Sequence, residues 1–110
     1  MPRNSKCRKV CAEFQHRVFT SEESEKGYVT LSVDELESLR LSDMENIEQE
    51  EAAKRMAVSR GTFQRILYSA RRKTAEALCE GRGILIEGGN YEIMKENCQC
   101  HPRCRKCSRL

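Results

Sequence analysis

Two stretches of this chain carry side chains whose types and spacing could do chemistry. The first, "CQCHPRCRKC", sets Cys98, Cys100, Cys104 and Cys107 within ten residues, with His101 among them. Thiolates one to four residues apart can close on a single tetrahedral ion without straining the chain. Pro102 stiffens the loop, and the neighbouring Arg and Lys favour the thiolate form. Zn(II) suits such a structural knuckle best; an iron–sulfur cluster also takes four thiolates, and spacing alone does not separate the two. Cys7 and Cys11, with His16 nearby, make a second half-site that either completes the tail site or binds separately. The plain alternative is a basic tail whose thiols are merely redox-labile.

The second stretch, "EEAAKRMAVSRGTFQRILYSARRK", runs from Glu50 to Lys73. It begins acidic, crosses a short apolar neck at Ala57-Val58, and ends strongly basic. Arg60, Arg65, Arg71, Arg72 and Lys73 follow with no acid between them. Nothing comparable points to catalysis: no carboxylate pair sits in an apolar setting, no Ser or Cys has an evident base, and no glycine loop follows a strand. The chain reads as a binding protein and not an enzyme.

The elements that must position these arginines can be read from periodicity and caps. Ser32-Val33-Asp34-Glu35 has capping-box spacing, and Val33, Leu36, Leu39 and Met44 supply the apolar stripe of a first helix, about 33–45. Arg40 lies close to that stripe and is expected to pair with a carboxylate of the next helix. A short second helix, about 48–56, presents Ala52, Ala53 and Met56. Ser59 caps a third, whose apolar positions are Phe63, Ile66, Leu67, Ala70, Ala77 and Leu78. Gly81 and Gly83 stop it. Val18-Phe19, Tyr28-Val29 and Ile84–Glu87 read as short strands, and Gly88-Gly89-Asn90 as a turn. Cys79 falls on the outward side of the third helix.

Two helices joined by a tight turn, the second long and basic, have the spacing of a helix-turn-helix. Ala53 is the small residue of the first helix, Val58 the apolar plug, Ser59 the cap, and Phe63 and Ile66 the inner face of the second. Ala57 stands where glycine is usual, at a cost of about 1 kcal/mol if the turn needs a positive φ. Turning Phe63, Ile66 and Ala70 inward sends Gly61, Arg65 and Arg72 outward, flanked by Thr62, Gln64 and Ser69. Arg65 could then take guanine bidentately and Gln64 adenine. Ser59, Thr62, Arg71, Arg72 and Lys73 suit phosphates, and Gly61 lets the backbone approach the sugar–phosphate chain.

The whole chain bounds these readings. At 110 residues, 38% hydrophobic, 34% charged and without Trp, it is one small domain with a lean core. A formal net charge of +3 hides a partition: residues 22–51 are mostly acidic, whereas the first seventeen, residues 60–73 and the tail after Met94 are basic. Such asymmetry favours a polyanionic partner. No apolar run approaches a membrane span, so a cytoplasmic protein is expected, in which seven cysteines point to metal or redox chemistry rather than a disulfide framework. The chain divides into a basic, cysteine-containing segment (1–30), a DNA-binding domain (31–92) and a cysteine-rich basic tail (93–110).

"LSVDELESLRLSDMENIEQEEAAKRMAVSRGTFQRILYSARRKTAEAL", followed by "GRGILIEGGNYE", closely resembles a prokaryotic family of predicted DNA-binding proteins, uncharacterised protein family two-five-one. The opening "MPR" and the Cys7/Cys11 pair also look like that family's start. "VSRGTFQRILYSARRK" is similar to region four of bacterial sigma factors, whose helix-turn-helix binds promoter DNA. The resemblance implies a mainly α, sigma-region-four-like fold with a winged-helix-type three-helix core, to which the residues themselves add a short strand after the third helix and a cysteine-rich tail. It further implies sequence-specific binding of double-stranded DNA in transcription, with Arg60, Thr62, Gln64 and Arg65 as the reading face. The family usually has Gly at the position of Ala57 and a longer segment before the first helix, so nothing carries over to residues 12–30. Two other classes compete: an adaptor engaging RNA polymerase or a sigma factor through the acidic first helix, and a metal- or redox-sensing accessory protein. A single motif of this kind usually doubles up, so a homodimer is expected.

Overall fold

The computed structural model describes residues 7–22 and 24–94. Three helices pack with a few short strands. In chain order these are β1 (Arg8–Val10), β2 (Val18–Phe19), a 3-10 turn (Ser24–Lys26), β3 (Tyr28–Leu31), α1 (Val33–Leu39), a π-turn (Arg40–Met44), α2 (Gln49–Arg55), α3 (Arg60–Glu80), β4 (Gly83–Ile86) and β5 (Tyr91–Ile93).

Helix α1 starts where its capping box dictates. The Glu35 amide donates to Ser32 Oγ at 3.3 Å, and the Ser32 amide donates to Glu35 Oε1 at 3.0 Å. The helix then widens into the π-turn, closed by the Glu45 amide donating to the Arg40 carbonyl at 2.7 Å. A π-turn holds one residue more than an α-turn, which shifts the phase of the expected apolar stripe. Val33 stays buried and Leu36 and Leu39 are half-buried, but Leu41 takes the core position and Met44 is exposed.

Arg40 is indeed paired, but not with α2. It is buried, and its Nε and Nη2 donate to Glu37 Oε1 and Oε2, both at 2.9 Å, one turn back in its own helix. Glu45, just past the π-turn, lies 3.6 Å from Nη1. Glu37 Oε2 also accepts from the Cys11 amide at 3.3 Å, so the group joins the amino-terminal segment to α1.

Helix α2 ends on buried Met56, and the chain reverses through Ala57 at φ 62. The Ala57 amide donates to the Lys54 carbonyl and the Val58 amide to the Ala53 carbonyl, both at 3.0 Å. Ser59 caps α3, its Oγ accepting from the Thr62 amide at 3.1 Å. Gly81, in the left-handed conformation at φ 69, ends the helix. Phe63 and Leu67 close one core cluster with Leu41, Ala52, Ala53 and Met56; Ala70 joins a second with Val10, Leu31, Val33 and Ile86. Leu78, expected in the core, is 75% exposed. The inward line runs through Phe63, Ile66, Leu67, Ala70 and Ala77, and one further residue rotates the side chain about 100° away.

The strands come from both ends of the chain. β4 lies between β2 (antiparallel) and β3 (parallel), and β1 pairs in parallel with β5, Arg8 opposite Tyr91. A Cβ on Gly83 would come within 2.6 Å of the Phe19 carbonyl oxygen and the Tyr28 ring, so that crossing demands glycine. The Lys9 amide donates to the Met56 carbonyl at 3.0 Å, which pins β1 to the end of α2. Val10, Cys11, Ala12, Val29 and Leu31 are core residues. The expected division at residue 30 therefore marks no packing boundary, because residues 7–22 and 24–30 build the same unit as the helices. No helix among the described residues is long and apolar enough to cross a membrane.

Ala57→Gly should stabilise the protein by about 1 kcal/mol, since it relieves a side chain held at positive φ; equilibrium urea unfolding reads the gain. Arg40→Ala should cost about 3–5 kcal/mol by leaving Glu37 and Glu45 buried and uncompensated, read by the same titration.

Candidate nucleic-acid interface

Burying Phe63, Ile66, Leu67 and Ala70 fixes which way the rest of α3 points. Gly61, Arg65, Tyr68 and Arg72 fall on the opposite side and are all exposed, as are Ser59 and Arg60 at its start. Thr62 and Gln64 are half-buried on the two flanks. Within the first turns the side chains are already ordered. Ser59 Oγ donates to Thr62 Oγ1 at 3.1 Å, and Arg65 Nη2 donates to the same oxygen at 3.2 Å. Arg65 thus folds back along the helix, and its Nη1 lies 4.0 Å from where a Cβ on Gly61 would stand.

The two remaining cations of the sequence reading are placed elsewhere. Arg71 is clamped by Asp43 of the π-turn, with Nη2–Oδ1 at 2.7 Å and Nε–Oδ2 at 3.2 Å. That hydrogen bond raises the Arg71 pKa against the small opposing effect of burial. Lys73 donates to both oxygens of Glu35, at 3.1 and 3.0 Å, on the α1 side. Both therefore join α3 to the first helical unit, and the outward line is left with Arg65 and Arg72.

Sequence reasoning missed Tyr68. It is 54% exposed at the middle of the outward line, with Arg71 Cζ 6.0 Å from its ring centroid. The signal was present in the spacing, because residues three after Arg65 and four before Arg72 share their face.

Glu35 is the most heavily bonded carboxylate near this helix. Burial pushes its pKa up, but Ser69 Oγ at 2.6 Å, the Ser32 amide and the Lys73 ammonium all favour the charged form, and the net effect lowers it.

The four cysteines expected to hold metal in the tail, Cys98, Cys100, Cys104 and Cys107, lie outside the described residues, as does His101. Among the described residues no group of three or more His, Cys, Asp or Glu is placed to hold a metal ion. Cys7 is a free, exposed thiol. Cys11 is buried and disulfide-bonded, and its Sγ lies 3.0 Å from Arg40 Nη2. Cys79 is free and exposed on the outward side of α3, where the helical phase put it.

The chain belongs to a family described as protein of unknown function DUF134, whose model matches residues 1–94. Relatives named UPF0251 protein are similar over most of the chain. The one from Caldicellulosiruptor saccharolyticus is 44% identical over 110 residues, covering 100% of this chain and 76% of the relative. That from Ruminiclostridium cellulolyticum is 43% identical over 107 residues, covering 97% and 84%, and that from Halothermothrix orenii 51% identical over 76 residues, covering 69% and 56%. No solved structure matches.

The lowered Glu35 pKa predicts an acid-labile join between α1 and α3. A depressed carboxylate contributes stability that is present above its unfolded value, near 4.5, and lost as pH falls through the folded one. Unfolding free energies measured from pH 7 to pH 3 should fall on the acid side, and Glu35→Gln should be less stable at pH 7 with a shallower acid slope.

Proposed function

We propose that this family member binds double-stranded DNA sequence-specifically, with α2, the Ala57 turn and α3 acting as a helix-turn-helix of the sigma-region-four type, and that it regulates transcription. One observation carries the reading: the side of α3 turned away from the core is an acid-free line of Gly61, Arg65, Tyr68 and Arg72, with Arg60 at its start. A major groove about 12 Å wide admits a helix, and the first turns of such a helix reach base edges. Arg65, already steered by Thr62, is the residue for guanine O6 and N7; Gln64, on the flank, suits adenine. Ser59, Arg60, Thr62 and Arg72 suit phosphates, which fix register without reading sequence. Arg71 and Lys73 serve the fold.

The adaptor reading, in which the acidic first helix engages RNA polymerase or a sigma factor, is weakened by the same geometry. Glu35, Glu37, Asp43 and Glu45 are committed to Lys73, Arg40 and Arg71 within the chain. The DNA reading does not need the tail cysteines, whose Zn(II) or iron–sulfur site stays a separate proposal from their spacing.

Selection from a random duplex pool should return a defined site, and an inverted repeat if two chains bind together. On that site Arg65→Ala should cost about 1–3 kcal/mol and relax one position. Arg72→Ala should weaken all sequences alike and reduce the salt slope by about 1. Unchanged affinity in both variants would transfer the function to the adaptor.

A further inference from the structure

Gly61 and Tyr68 stand on one line of α3, two turns and about 10 Å apart along its axis, and neither is explained from within. Gly61 has no left-handed backbone to maintain, and a Cβ there would meet nothing nearer than Arg65 Nη1 at 4.0 Å. The fold would accept alanine, a much better helix former. A bare backbone at that point therefore fits something that comes close from outside.

Tyr68 is the opposite case, a long side chain left in solvent. Its ring lies beside Arg71, and Arg71 is fixed by two hydrogen bonds to Asp43. The ring is thus placed beside a cation that is itself clamped, and Tyr68 stands on the exposed line between Arg65 and Arg72 with 54% of its surface in solvent. Side-chain reach along the line grows from nothing at Gly61 to the full length of tyrosine two turns later. A surface complementary to that profile touches the helix at its amino-terminal end and recedes from it beyond.

We propose, resting on the DNA reading above, that α3 meets the duplex at an incline. The Gly61 backbone makes the closest approach within the major groove, and the Tyr68 hydroxyl donates a hydrogen bond to a phosphate oxygen farther out. A phenolic O–H is a donor matched to an anionic acceptor, and Arg72, one turn on along the same line, draws a phosphate strand to it. Asp43 and Arg71 are positioning residues for that contact.

The experiment measures thermal stability and affinity of the full chain and of G61A and Y68F, on the selected duplex and on an unrelated one, across salt concentrations. G61A should melt about 3–6 °C higher than the parent yet bind the selected duplex at least about tenfold more weakly, from steric loss of the close approach. Y68F should melt as the parent does and lose about tenfold on both duplexes, with an unchanged salt slope because no charge is removed. Parental affinity in either variant would overturn the inclined geometry, as would a Y68F loss confined to the selected duplex. Failure of the parent to bind any duplex would overturn the DNA reading and this inference together.

Discussion

One buried cation shapes the helical unit against which α3 packs. Arg40 lies out of water between Glu37 and Glu45, and taking such ions out of water costs several kcal/mol each unless geometry and further hydrogen bonds compensate. Here the compensation is bidentate pairing to Glu37, a second carboxylate, and the Cys11 amide donating to Oε2 of Glu37. The same residue opens the π-turn. That turn sends Leu41 into the cluster shared with Phe63 and Met56, and it stands Asp43 opposite Arg71. Arg40 thus sets the depth of the hydrophobic contact and the anchor of the charged one.

The uneven distribution of charge acquires a structural meaning from these pairs. The acidic residues of α1 and the π-turn are not a separate anionic surface, because Glu35 and Asp43 reach across to Lys73 and Arg71. Those pairs are partly exposed, so each contributes modestly to stability. Their larger effect is to sort the cations of α3. Those on the flanks are neutralised by the helix and turn beside them, and those on the outward line keep an unscreened field.

Much of the helical part was legible because its signals are local. Ser32 with Glu35, Ser59, Gly81 and the apolar steps from Phe63 to Ala77 act within a turn or two of the residues that carry them, and each stands where it was read. The misreadings share a cause. Met44 and Leu41 exchanged roles because a π-turn changes helical phase, and what stabilises that turn, the Arg40 group, draws on Cys11, twenty-nine residues earlier in the chain. β1 and β5 were missed because three-residue strands carry almost no periodic signal and are defined by pairing with a distant partner. The line of exposed residues was legible in Gly61, Arg65 and Arg72. Tyr68 was passed over because an aromatic at helical spacing is ordinarily core, and only the burial of its neighbours on the other side settles its direction.

The pairing of Arg8 with Tyr91 has a consequence for how the chain comes to be folded. β1 leaves the ribosome 83 residues ahead of its partner (Arg8 to Tyr91), and β3 must likewise wait for β4. Contacts this distant in sequence form late and slowly compared with helical ones. During synthesis the helices can associate while the opening residues trail unpaired, with Val10 and Leu31 uncovered. The nascent chain then passes through a stage in which apolar segments are available to chaperones or proteases, and the emergence of residues 83–93 ends it.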